Sequence, residues 1–117
     1  MVELSMSEVS EVFDEWAKEL NIPTRDIMFT MSRVKPNEIT IYTDKPGLMI
    51  GKAGNTIEKY KAKFNEKVAQ HNEIIRRLNA KPNRDFTLEE MSQVSLNIIE
   101  VIRANFWLHY DPMSECL

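Results

Sequence analysis

The 117-residue sequence contains one cysteine, Cys116. A single cysteine excludes an internal disulfide, a C-x-x-C redox pair and a zinc site built on paired cysteines. No apolar run approaches the roughly 18 residues that indicate a transmembrane helix. The acidic start, MVELSMSEVSEVFDEW, lacks the basic and apolar regions of a signal peptide, so the sequence predicts a cytoplasmic protein with no membrane partner.

Glycine is also scarce. The chain has three glycines, and all of them lie in KPGLMIGKAGNTIEKY, residues 45–60. Gly51 and Gly54 stand three apart, between an apolar run and a helical pattern. Glycine accepts positive φ values, so one interpretation is a turn between two helices; the other is close approach of a ligand to the backbone.

Charge is unevenly distributed along the chain. The net charge is −3, and the hydrophobic content of 43% fits a single globular domain over residues 1–117. Residues 44–84 hold ten basic and four acidic side chains, whereas residues 1–30 hold two basic and seven acidic ones. A basic centre between acidic flanks fits an anionic partner and fits equally well a solvated helix face.

Local patterns predict a helix and then a hairpin. Ser5 and Glu8 form a capping box that opens a helix, which ends near Asn21 ahead of a proline. Apolar and polar residues then alternate over 26–33 and over 38–43, with a turn between them. This alternation predicts two antiparallel strands.

The second half begins with a short helical turn in DKPGLMI. An apolar stripe with helical spacing then predicts a long helix over residues 55–79. His71 lies on that stripe and is expected to be a partly buried, hydrogen-bonded histidine rather than a metal ligand. The last residues, 111–117, are expected to be frayed.

The segment after Phe86 supports two interpretations. Thr87 and Glu90 form a second capping box, which favours a helix at least at its start. The β-branched residues of VSLNIIEV favour a strand over 94–102 instead. Pattern alone leaves open whether residues 87–106 form one helix or a short helix followed by a strand.

The glycine stretch fits neither common phosphate-binding motif. A P-loop needs G-x-x-x-x-G-K-[ST], but Gly47 and Gly51 are one residue too close, and Ala53 stands in place of the hydroxyl. A Rossmann fingerprint would need a glycine at Met49. What remains is an I-G-x-x-G-x-x-I pattern, residues 50–57, between two helices.

This pattern resembles the type II KH domain. ITIYTDKPGLMIGKAGNTIEKYK and LNIIEV are similar to the N-terminal KH domain of the small-subunit ribosomal protein where messenger RNA enters. The resemblance implies an α+β fold, helix-strand-strand-helix-(GxxG)-helix-strand, with a three-stranded sheet, helices on one face and a strand over 94–102. Three features differ from that protein: the long helix, an insertion over 79–93 and the acidic net charge of the chain. They indicate a stand-alone KH-type protein.

The resemblance places a nucleic-acid site at the glycine loop. The GxxG loop of KH domains clamps the backbone of about four nucleotides, and the following helix N-terminus favours an anion. Both variable loop positions are expected to be exposed. The predicted contacts are Gly51, Lys52, Ala53, Gly54 and Asn55 at the loop, Lys45, Lys59 and Lys63 as cations, and Met49 and Ile50 as the apolar side of a groove.

The function that follows is non-enzymatic binding of single-stranded RNA, with single-stranded DNA as the second choice. The alternative is a KH-fold protein-interaction module with weak or lost nucleic-acid binding, using the acidic first helix or aromatics such as Trp107 and Tyr110. An enzyme has the least support, because His71 and His109 belong to no catalytic pattern. No catalytic residue, cofactor or metal is predicted.

Overall fold

The computed structural model describes residues 2–82 and 86–102. It confirms the predicted α+β architecture and its order of elements. Two short 3-10 turns, Thr24–Asp26 and Lys52–Gly54, complete it. In chain order the elements are α1 (Met6–Leu20), β1 (Ile27–Met31), β2 (Glu38–Thr43), α2 (Pro46–Ile50), α3 (Asn55–Asn79) and β3 (Ser95–Glu100).

The first helix begins and ends where its sequence signals predict. The Ser5 hydroxyl accepts a hydrogen bond from the Glu8 backbone N–H at 3.2 Å, and the Glu8 carboxylate accepts one from the Ser5 N–H at 3.1 Å. Asn21 ends the helix with a left-handed φ of 56°. Along the buried face of α1, the Phe13 ring stacks on Trp16 at 5.7 Å between centroids. Local capping thus sets the helix, and packing against the sheet stabilises it.

β2 is the central strand of the sheet. It pairs with β1 in antiparallel and with β3 in parallel orientation. Ile39 and Ile41 are fully buried beneath the helices. The parallel pairing requires a crossover, which α2 and α3 supply. Residues 95–100 therefore form the predicted strand, and the alternative of one helix over 87–106 is wrong for the described part of that range.

The second capping box does not start a helix. Thr87 and Glu90 belong to an irregular segment that runs from the end of α3 to the start of β3. The Glu90 carboxylate instead contacts Arg76 of α3 at 2.8 Å. The short helix expected before residue 94 is therefore wrong, because contacts with side chains of α3 hold this segment in an irregular path instead.

We call residues 88–94 the strap, because side chains of α3 hold them in place. Three asparagines of α3, seven residues apart, hydrogen-bond backbone groups three residues apart, at 2.6–3.0 Å. Seven helical residues rise about 10.5 Å, and three extended residues span about 10 Å. The spacing of the asparagines along α3 therefore matches the spacing of their partners along the strap, which keeps the contacts in register. The pairs are Asn79 with Leu88, Asn72 with Met91 and Asn65 with Val94.

Removing the middle contact is expected to destabilise the protein. Asn72 is 8% exposed, and its amide both donates to and accepts from the Met91 backbone. Asn72→Ala would leave an N–H and a C=O without partners, at a cost of about 3 kcal/mol in the free energy of unfolding. Urea denaturation measures this loss. Gln70→Ala, at an exposed position of the same helix, is the control and should change stability by less than ~0.5 kcal/mol; equal effects would contradict the role of the strap contacts.

Candidate functional site

The loop between α2 and α3 follows a backbone path that depends on its glycines. Gly51 has φ 78° and ψ 173°, a region essentially reserved for glycine. A Cβ at Gly51 would lie 2.2 Å from the Thr56 Oγ1 and 2.9 Å from the Thr56 backbone nitrogen. Gly54 is left-handed, with φ 77°, and a Cβ there would meet no atom within 4 Å. Gly51 is therefore required by packing within the chain, while Gly54 leaves open the surface beside α3.

The two residues between these glycines are exposed, as the sequence predicts. Lys52 and Ala53 both lie at the surface. Ala53 takes a left-handed φ of 54°, which costs a residue with a Cβ about 1–2 kcal/mol. Backbone strain of this kind persists only where the surrounding structure imposes it, and it concentrates at binding sites. The loop thus holds the Lys52 cation in a fixed and strained frame.

The helix that follows the loop begins without a side-chain cap. Gly54 is its N-cap residue and has no side chain to accept from the first-turn N–H groups. At the start of α1, by contrast, Ser5 and Glu8 satisfy such groups. Uncapped N–H groups and the positive end of the helix dipole attract an anion. The start of α3 beside Asn55 is therefore suited to a phosphate.

The apolar flank of the loop differs from the prediction. Met49 is fully buried, so its predicted place on a surface groove is wrong. The reason is helical geometry, because neighbouring residues on a helix point about 100° apart and Met49 and Ile50 do not share a face. Ile50 is 38% exposed, and Leu48 is 52% exposed. Leu48 was missed by the sequence analysis, because a helix of five residues is too short for its apolar pattern to separate exposed positions from buried ones.

A row of ion pairs joins α1 to α3. The cations recur every four residues on α3, and the carboxylates recur every three or four residues on α1, in the opposite direction. A hydrogen bond from Lys59 lowers the pKa of Glu19, and one to Glu15 raises the pKa of Lys63. This ion-pair row comprises Lys59 with Glu19, Lys63 with Glu15, Lys67 with Glu11 at 3.3 Å and His71 with Glu8 at 2.6 Å. The acidic first helix thus neutralises much of one side of α3.

The ion-pair row changes the predicted set of cations. Lys59 and Lys63 face α1 rather than standing free, and their partners lie 40 and 48 residues away in sequence. Lys45 contacts Asp44 at 3.4 Å. Lys61, on another side of α3, has no ion pair with any residue in 2–82 or 86–102, and the same holds for Lys52.

Lys61 was missed by the sequence analysis. It lies one helical turn before Asn65, the residue that contacts the strap just ahead of β3. It therefore lies on the side of α3 that leads from the loop towards β3. The helical spacing of Lys61 from Gly54 and Asn65 could have found it, once the neighbouring lysines were paired with the acids of α1.

His71 has the environment that the sequence predicts, partly buried and hydrogen-bonded. Its Nε2 lies 2.6 Å from a Glu8 carboxylate oxygen, and that carboxylate also accepts from Ser5. Partial burial acts to raise the pKa of Glu8, but the hydrogen bonds from His71 and Ser5 outweigh it and hold the pKa below its ordinary value of 4.5.

The lowered pKa of Glu8 predicts a pH-dependent contribution to stability. Because the folded state favours the ionised carboxylate, its contribution is complete above the ordinary pKa and disappears as pH falls through the lowered one. Glu8→Gln should therefore reduce the free energy of unfolding near pH 7, and its effect should shrink near pH 3. Urea denaturation at both pH values tests this, with the exposed Glu89→Gln as control. A loss of the same size at both pH values would contradict it.

Other kinds of site find no support among the described residues. Residues 2–82 and 86–102 bring no three His, Cys, Asp or Glu side chains together as metal ligands would require. No helix within the described ranges combines the length and apolarity needed to cross a membrane.

Comparison with protein families gives one match. The family model described as KH domain matches residues 30–105, which includes β2, the loop, α3 and β3 and leaves out α1. No curated protein and no solved structure gives a significant match. Since the family model covers well over half of the sequence, the chain belongs to the KH domain family, whose members are nucleic-acid-binding modules.

Proposed function

We propose that this protein binds single-stranded RNA, without catalysing a reaction, through the loop Gly51–Gly54 and the first turn of α3. The observation that carries the proposal is the loop backbone. Gly51, Ala53 and Gly54 all have positive φ, and the open space above Gly54 lets a sugar-phosphate approach the uncapped N–H groups of α3. An ordinary turn would not need an exposed alanine to be strained in this way.

The charges and apolar groups around the loop fit the same ligand. The Lys52 ammonium lies at the loop itself, and Lys61 follows along α3 towards β3. Leu48 and Ile50 each expose an apolar side chain beside the loop, and apolar groups of this kind can contact unstacked bases, which KH domains bind. We favour RNA over DNA because the loop stretch resembles a KH domain of a ribosomal protein, and we propose a cytoplasmic location.

The decisive experiment is binding of short single-stranded oligonucleotides. Fluorescence anisotropy with labelled RNA and DNA of the same sequence, and with an RNA duplex, compares the three classes of ligand. We expect tighter binding of the single strands than of the duplex. No binding of any oligonucleotide at low salt would reject the proposal.

The salt dependence of binding tests which lysines contact phosphate. Contacts to ~4 phosphates predict a log–log slope of about −3 for a single strand. Lys61→Gln should make this slope shallower by about 0.7, because no carboxylate in 2–82 or 86–102 pairs with Lys61. Lys63→Gln should leave it nearly unchanged, because Glu15 already holds Lys63. Equal effects of the two variants would show that the ion-pair row opens when RNA binds.

The ion-pair row also favours a second candidate function, a KH fold used for protein contact. Neutralising the Lys59 and Lys63 side of α3 reduces the positive charge that α3 offers to a phosphate backbone. This function would show as absence of oligonucleotide binding, together with a protein partner whose binding does not change when residues of the Gly51–Gly54 loop are substituted.

A further inference from the structure

The outer edge of β1 has free backbone groups. Since β2 is the central strand, β1 has a strand neighbour on one side only among the described residues. The Ser32 N–H donates to the Glu38 carbonyl at 2.9 Å, and hydrogen-bonded positions alternate along an antiparallel pair. The backbone N–H and C=O groups of Phe29 and Met31 and the C=O of Ile27 therefore point away from β2, where a further strand would pair, while the Ile27 N–H donates to the Thr24 carbonyl.

A pocket lies next to this edge, on its helix side. Its volume is about 160 Å³, and a cavity of ~150 Å³ holds a benzene molecule. No residue of β2 or β3 lines it, so it opens on the free side of β1. An added strand would place every second side chain on the helix side, and one of them would enter this pocket. The lining residues are Ser10, Phe13, Asp14, Ala17, Thr24, Ile27 and Phe29.

One acid that lines the pocket lies outside the ion-pair row. Of the five carboxylates in α1, four belong to the ion-pair row with α3. Asp14 is the fifth, and it lies at the pocket without a cation partner in the part of the chain that the structure describes. An acid beside an apolar floor made by Phe13 and Phe29 selects a ligand with an apolar side chain and a nearby cation.

We propose that the β1 edge and this pocket bind an extended peptide segment of a protein partner by strand addition. An apolar side chain of the peptide fills the pocket, and a lysine or arginine two residues away, on the same face, pairs with Asp14. Backbone hydrogen bonds to the edge supply affinity, and the pocket supplies specificity, as in other cases of strand addition. The surface differs from the GxxG loop, so the proposal does not depend on RNA binding.

A second copy of the chain fits this surface less well. Pairing two β1 strands about an axis through Phe29 would bring Arg25, just before the strand in one copy, towards Arg33, just after the strand in the other. Both arginines are exposed, and like charges brought together repel each other. The charges therefore favour a peptide of different sequence.

A random nine-residue peptide library displayed on phage, selected against the full chain, tests the proposal. We expect the enriched peptides to share an apolar residue with lysine or arginine two positions away. Bound as synthetic peptides, they should slow amide exchange at Phe29 and Met31. Failure to enrich any peptide, or protection elsewhere on the chain, overturns the proposal.

Three variants make the test specific. Asp14→Asn should weaken peptide binding about threefold or more, while Glu11→Gln, which alters an acid of the ion-pair row, should not. Ser10→Leu fills the pocket from a half-buried position of α1 and should weaken binding about tenfold. Circular dichroism verifies the fold of each variant. Unchanged peptide binding by the folded Asp14→Asn and Ser10→Leu variants overturns the proposal. Light scattering that shows dimers of the chain in the absence of peptide, together with loss of peptide binding by those dimers, also overturns it.

Discussion

A double variant with aspartate at positions 52 and 53 is expected to lose most of its affinity for single-stranded RNA. The Lys52 cation disappears, and two carboxylates take its place at the uncapped start of α3. Like charges at the position of a phosphate should weaken binding by about 2–3 kcal/mol, or roughly 30- to 150-fold. Anisotropy titration with a short RNA measures this loss.

The fold of this variant should survive the change. Both side chains are exposed, and exposed substitutions usually shift stability by less than ~0.5 kcal/mol. Aspartate also accepts the left-handed backbone of Ala53 more readily than most residues do. Circular dichroism and thermal melting should therefore stay close to those of the unmodified protein.

The β1–β2 turn offers a matched control. Val34 and Lys35 are neighbours, and Val34 is 84% exposed. Replacing both with aspartate changes the net charge by the same amount as the loop variant. This turn lies just before β2, whereas the loop lies beyond the other end of β2, after α2. If the two double variants lost the same affinity, RNA binding would depend on overall charge and not on the loop.

Much of the fold follows from patterns within a few residues. The capping box at Ser5, the alternation in the hairpin and the helical stripe over 55–79 each describe interactions between sequence neighbours, and all three predictions are confirmed. The strand at 95–100 needed the family resemblance, because a β-branched run after a capping signal fits helix and strand alike.

The candidate site was harder to predict, because contacts between distant residues decide it. Lys59 and Lys63 look like free cations until α1 packs beside them. In the sequence the strap looks like an insertion, because the asparagines of α3 that hold it form no apolar pattern. Their seven-residue spacing on α3 is nevertheless visible in the sequence. Only the loop itself, with Lys52 and Ala53 exposed, could be placed from local sequence.

Gly51→Ala is expected to be among the most destabilising single substitutions in the loop. Its φ of 78° and ψ of 173° fall where residues with a Cβ hardly occur, at a cost of about 1–3 kcal/mol. The new Cβ would also lie 2.9 Å from the Thr56 backbone nitrogen, so the start of α3 must shift. We expect a total loss of about 3–4 kcal/mol in the free energy of unfolding, measured by urea denaturation.

Gly54→Ala distinguishes the conformation that the backbone requires at this position from the space that a bound ligand requires. Its φ of 77° is left-handed, which should cost about 1–2 kcal/mol, but its Cβ would enter open space. This variant should therefore stay folded and yet lose RNA affinity, because the methyl group stands where the sugar-phosphate must approach α3. If folded Gly54→Ala binds RNA as tightly as the unmodified protein while Gly51→Ala unfolds, the glycines serve only the turn, and the RNA contacts lie elsewhere.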